Sequence, residues 1–153
     1  MRVLELKIPP LAVVLVTAVL MWISASAAPR LALVVPGWEL IALIFAVAGA
    51  VTSILGVASF RRAGTILNPL TPDASSSLVV SGIYSLSRNP MYLGFLMLLL
   101  GWAIYVSNAL AFLFVPAFVL YINNFQIKPE EQALTSRFGQ EFVAYTGRVR
   151  RWL

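Results

Sequence analysis

The stretch Gly82–Gly94 reads GIYSLSRNPMYLG, and its reading decides the fold. Tyr84, Arg88, Asn89 and Tyr92 stand at the mouth of a long apolar run that begins at Pro90. Placing an arginine and an asparagine beside hydrocarbon is costly, so polar side chains at such a boundary are functional candidates. Asn89-Pro90 is also a helix-start signal: asparagine can cap a first turn, and proline fits the first helical position.

Working outward, the rest of the chain is apolar enough to live in lipid. Of its 153 residues 60% are hydrophobic and 11% are charged, against about 25% charged in soluble domains. A chain of this size has no interior large enough to hide that surface from water, so an integral membrane protein is expected. There is no cysteine, which excludes disulfides and thiolate catalysis, and no histidine. The commonest metal ligand and the usual general base near neutral pH are therefore missing. Zinc hydrolases and Ser-His-Asp hydrolases are excluded on that ground.

A bilayer core needs about 20 apolar residues as helix. Four segments match this length or nearly so, at about 11–28, 38–60, 90–106 and 108–125. Met1–Ala28 has the charged start and small-residue end of a signal peptide, but its apolar run exceeds a typical h-region, and it is read as a span. Only Ser107-Asn108 separate the last two segments, which predicts a tight helical hairpin, and Pro116 predicts a kink in the fourth. Ten of the eleven basic residues then fall on one side of the membrane, with Arg30 alone opposite. The net charge of +5 thus sets topology and meets anionic lipid; nucleic acid is not an expected partner. Both termini and the loop 61–89 are expected in the cytoplasm, with a bacterial inner membrane as the setting.

The loop 61–89 carries turn signals at Gly64, Asn68-Pro69, Pro72 and Gly82. In the tail, Leu134, Phe138, Phe142 and Tyr145 recur at helical spacing. This predicts one amphipathic helix over about 129–146, packed on the membrane or on the loop. Arg148–Trp152 reads as an interfacial anchor. The whole chain, 1–153, is expected to be a single all-α membrane domain, with about four transmembrane helices, a cytosolic loop and the C-terminal helix.

Pro129-Glu130-Glu131 reads as a second helix start, with acids against the positive helix end. A free helix N-terminus offers N–H groups to an anion, and Arg88 adds a bidentate carboxylate binder. Glu130 can hold an ammonium or a ribose hydroxyl, and Tyr84 and Tyr92 offer aromatic faces to a cation or a flat ring. S-adenosylmethionine carries all of those groups, though many amphiphilic ligands fit such a set. Gly94 and Gly101, seven apart, read as close helix packing.

The run LVVSGIYSLSRNPMYLG, an apolar hairpin, and PEEQALTSRFGQEFVAYTGRVRRW together resemble the isoprenylcysteine carboxyl methyltransferase family, itself related to the membrane phospholipid N-methyltransferases. The similarity covers roughly Gly64 to Trp152. It implies a multi-span membrane enzyme that uses S-adenosylmethionine, releases S-adenosylhomocysteine, and takes a lipid-like substrate from the bilayer. It implies cofactor contacts at Ser76, Ser77, Leu78, Val79, Tyr84, Asn89, Pro90, Met91, Tyr92 and Glu130, to which the residue chemistry above adds Arg88. Gln126 and Glu130 are the implied catalytic positions. Two departures stand out: Asn89 occupies a position that is histidine in the family's eukaryotic members, and Gln126 occupies that of an arginine which orients a substrate carboxylate.

Methyl transfer from a sulfonium is an in-line displacement that needs proximity and a dry site more than acid–base chemistry, so the lack of histidine is no obstacle. The expected acceptor is lipid-like or prenylcysteine-like. The alternatives are N-methylation of a phospholipid head group, S-methylation of a small thiol, a membrane reductase binding a nicotinamide cofactor, and a non-catalytic lipid-binding protein that keeps the fold.

Overall fold

The structure, a computed structural model, describes residues 6–64 and 77–153. Among these residues six α-helices run in the order α1 (Pro10–Ala27), α2 (Trp38–Arg62), α3 (Pro90–Val106), α4 (Ala109–Ile122), α5 (Lys128–Phe138) and α6 (Gln140–Arg148). Among the described residues no strand forms beyond one isolated bridge between Ala32 and Asn108. The all-α membrane class holds. Among the described residues three helical stretches are long and apolar enough to cross a membrane: Pro10–Ala27, Trp38–Arg62 and Ala109–Phe138. The remaining apolar helix, Pro90–Val106, is shorter at 17 residues.

The helices assemble around small residues. A Cβ built on Gly49 of α2 would lie 2.6 Å from the Gly94 carbonyl oxygen of α3, and one on Gly94 would lie 2.6 Å from the Gly49 carbonyl oxygen. One on Gly101 would meet the Ala42 carbonyl oxygen at 2.8 Å. Backbones this close gain dispersion contacts that lipid cannot match, which is how helices associate without a hydrophobic drive. On its other face α3 joins α1 and α4, where Met21, Leu99, Phe118 and Ile122 form the core. The Trp102 indole donates to the Ala18 carbonyl at 3.0 Å, tying α3 to α1. Leu11, Leu15 and Trp22 of α1 and Leu40, Ile44 and Ile54 of α2 remain exposed, as lipid-facing side chains should.

The α3–α4 hairpin is as tight as its two-residue link requires. Ser107 takes a left-handed conformation (φ 52°) and Asn108 caps α4, its Oδ1 accepting from the Leu110 N–H at 3.0 Å. The Asn108 amide also donates to the Ala28 carbonyl at 2.9 Å, so the end of α1 meets the hairpin. At the opposite end, the start of α1, the end of α2, the start of α3 and the helices α5 and α6 gather together. Leu6 bonds to Phe125, the Phe60 ring meets Tyr84 edge-on at 5.3 Å, and Arg88 pairs with Glu131. Lys7, Arg61, Arg62, Arg88 and Lys128 therefore share one end of the molecule, and Arg30 lies at the other.

Three local expectations are corrected. The tail is not one helix over 129–146: it breaks at Gly139 (φ 53°, ψ −124°), a conformation that a side chain resists, and resumes as α6. Pro129-Glu130-Glu131 does not begin a free helix, because α4 continues through a π-helical turn at Asn123–Ile127 straight into α5. That turn absorbs Pro129, which has no N–H to give the Phe125 carbonyl. Finally, Asn89 precedes α3 but its side chain makes no cap.

Candidate active site

The site is assembled where the start of α3 meets α5. Pro90 at the first helical position fixes the direction of α3 and leaves Tyr92 pointing inward, 2% exposed. Its hydroxyl donates to Glu130 Oε2 at 3.1 Å. This contact joins the two sequence motifs directly, and Glu130 is held partly buried there. Tyr84 is buried in a 3-10 turn at Gly82–Ser85, and the Tyr145 hydroxyl of α6 donates to its carbonyl at 2.6 Å. Burial pushes the Tyr84 phenol well up, and the nearby Glu130 charge and Tyr145 push the same way. The Tyr145 phenol is pushed up to about 12 by burial, against the opposing positive charge of Arg88. Tyr84 and Tyr145 are therefore neutral hydroxyl groups at physiological pH.

A second polar layer holds the motif in place. Glu131 accepts from Arg88 Nη1 at 3.0 Å, and Arg151 grips it with two bonds, Nε to Oε1 at 3.1 Å and Nη2 to Oε2 at 2.6 Å. The Arg88 N–H donates to the Arg150 carbonyl at 3.0 Å, and the Asn89 side-chain amide donates to the Arg151 carbonyl at 3.0 Å. The side chain expected to cap a helix thus anchors the C-terminal tail instead. A cleft of about 690 Å³ opens between α5 and α6, lined by Arg88, Lys128, Glu131, Gln132, Phe142 and Val143 among others.

Of the expected cofactor contacts, Tyr84, Arg88, Asn89, Pro90, Met91, Tyr92 and Glu130 come together at this end. Met91 packs at Gly56 of α2. Val79 is buried, and Ser77 keeps a buried hydroxyl with no hydrogen-bond partner; Leu78 is half-buried. Ser76 lies outside the described residues, as does much of the loop 61–89. Gln126 is fully buried, and its amide donates to the Ile8 carbonyl at 2.7 Å, so it faces the N-terminal segment. Sequence reasoning passed over Glu131, Arg151 and Tyr145 as parts of one site. The paired acids of Glu130-Glu131 were visible, but nothing in the sequence assigns one to Tyr92 and its neighbour to two arginines.

Comparison with known proteins places the chain in a family. Residues 38–141 match the phospholipid methyltransferase family. An uncharacterized protein of Haemophilus influenzae is 51% identical over 63 residues, which is the whole of that protein and 41% of this chain. No solved structure matches the chain. The family match spans more than half the sequence and includes both the Arg88–Tyr92 run and Glu130, so the chain belongs to the phospholipid methyltransferase family of membrane methyltransferases.

Proposed function

We propose that the protein transfers a methyl group from S-adenosylmethionine to a lipid-like acceptor, with the reaction centred on the Tyr92–Glu130 contact. That contact is the observation which carries the reading: a carboxylate and a phenol from two distant motifs meet at 3.1 Å beside apolar helices. The residues present fit the cofactor chemically. Arg88 keeps a buried Nε with no partner although its Nη1 is engaged, and the Ser77 hydroxyl is likewise buried and unpartnered. Such orphaned donors carry a desolvation cost that a bound carboxylate or hydroxyl would relieve.

In this reading Arg88 binds the carboxylate of the methionine moiety, and Glu130 accepts from its ammonium or from a ribose hydroxyl. Tyr84 and Tyr92 supply aromatic walls, and Ser77, Leu78, Val79, Asn89, Pro90 and Met91 complete the enclosure. When bound, S-adenosylmethionine supplies an electrophilic methyl group on a positively charged sulfur. The chain's part is to exclude water and fix the approach of the acceptor. Glu130 stays in place because the Tyr92 hydroxyl holds it, and Arg88 because Glu131 holds it.

The acceptor is expected to reach the site from the bilayer, as a lipid-like or prenylcysteine-like molecule. Gln126 is neutral and its amide is engaged by Ile8, which weighs against a carboxylate acceptor oriented at that position. Phospholipid N-methylation is the second reading for that reason. The gathering of basic residues at one end supports a cytoplasmic site, with both termini on the cytoplasmic side of a bacterial inner membrane. The deciding experiment is transfer of labelled methyl from S-adenosylmethionine, in nanodiscs, to extracted lipids and to prenylated cysteine analogues in parallel. Label in either acceptor supports methyl transfer and names its class. No label in either, with no calorimetric binding of S-adenosylmethionine, would leave the fold as a non-catalytic lipid-binding protein.

A further inference from the structure

The π-helical turn at Asn123–Ile127 sits directly before Glu130, and a distant segment holds it open. Lys128 N–H bonds back to the Asn123 carbonyl, the long π-type spacing. Pro129 can give no N–H to the Phe125 carbonyl four residues before it, and that carbonyl instead accepts from Leu6 N–H at 3.0 Å. One residue further on, the Gln126 amide donates to the Ile8 carbonyl at 2.7 Å. The Leu6 N–H thus satisfies a carbonyl which the turn has released, and the Gln126 side chain in return satisfies the Ile8 carbonyl of the same strap.

Two features show that this strap is under constraint. Leu6 adopts φ 54°, a left-handed conformation that a leucine holds only when its surroundings impose it. Gln126 is 0% exposed yet its Oε1 has no partner, a desolvation cost that its one bond to the Ile8 carbonyl offsets only in part. A π turn also adds one residue to the helix and rotates everything after it by about a quarter-turn relative to an unbroken α-helix. Glu130, three residues beyond the turn, takes its bearing toward Tyr92 from that rotation.

We infer that Gln126 is a positioning residue: with residues 6–8 it clamps the π turn so that Glu130 faces Tyr92. The strap lies outside the residues that match the family, 38–141. This inference rests on the proposed cofactor role of Glu130 only where ligand binding is the readout.

Two variants test it in the full chain. Gln126→Met keeps the length and removes the donor. Pro129→Ala restores an N–H to the helix and lets the turn relax, which favours the helix itself. Pro129→Ala is expected to keep the melting temperature at or above that of the parent and Gln126→Met to lower it slightly, and both to weaken S-adenosylmethionine binding about tenfold, the scale of one lost hydrogen-bonded contact. In a Glu130→Ala background neither should weaken binding further, because each acts through Glu130. Parent-like affinity in both variants, or losses that add fully to that of Glu130→Ala, overturns the inference. If the parent chain binds no S-adenosylmethionine, the proposed function fails by itself. The clamp is then read from amide exchange in the ligand-free protein. Exchange at Leu6 about tenfold faster in Gln126→Met supports it, and unchanged exchange overturns it.

Discussion

At the scale of single residues, Glu130 and Glu131 are neighbours with opposite assignments. Glu130 turns inward to the Tyr92 hydroxyl, and Glu131 turns to Arg88 and Arg151. Successive residues on a helix point about 100° apart, so one pair of acids serves two layers of the site. Glu130→Ala is expected to weaken S-adenosylmethionine binding by about tenfold or more by calorimetry, since it removes a charged hydrogen-bond acceptor. Tyr92→Phe keeps the ring and should weaken binding several-fold less. Equal affinity of Glu130→Ala and the parent chain would place the cofactor elsewhere. That the RNPMY run and the acidic pair stand out as polar groups beside lipid was legible in the sequence. The partners were not: the structure gives the Arg88 Nη1 to Glu131.

Among elements, the α2–α3 pair depends on glycine where the backbones meet. Gly94 and Gly101 were readable as packing residues from their spacing, but Gly49 and Ala42 could not be named as their counterparts. Registers between helices depend on where each helix starts and how it is tilted, which no single helix encodes. Gly94→Val would drive a side chain into the Gly49 carbonyl and the Ser53 backbone. A loss of about 1–3 kcal/mol is expected, read as a lower unfolding temperature in detergent, with Gly37→Ala as a contrast at a position where no atom lies within 4 Å. The contrast carries its own strain, since Gly37 has φ +82°, but no clash. The tail shows the reverse case. Its apolar spacing was read as one helix, and the break at Gly139 was missed because periodicity persists on both sides of it.

Across the whole molecule, the site is closed by contacts between distant segments. The Tyr145 hydroxyl donates to the Tyr84 carbonyl across 61 positions of sequence. Because the folded chain raises the Tyr145 pKa from 10.0 to about 12, the protonated form is bound more tightly when folded. The stability this group contributes is fully present below pH 10 and is lost as the pH rises toward 12. Thermal melts of the parent chain should therefore lose stability over that alkaline window. Tyr145→Phe should start about 1 kcal/mol lower and show a smaller alkaline loss. An identical alkaline slope in the two proteins would show that Tyr145 does not carry the effect.

The sequence by itself determined the all-α membrane class, the hairpin at Ser107-Asn108, the gathering of basic residues at one end, and the two motifs that meet in the site. Each follows from local properties: apolar length, charge spacing, turn chemistry and the cost of polar groups in lipid. The tertiary structure alone decided that Glu130 faces Tyr92, that Asn89 anchors the C-terminal tail, and that Gln126 faces residue 8. Those assignments depend on a π turn beside Pro129 and on carbonyl groups that only a distant strand of chain could satisfy. A buried backbone group accepts any donor that reaches it, and which donor does so is fixed by the packing of the whole molecule.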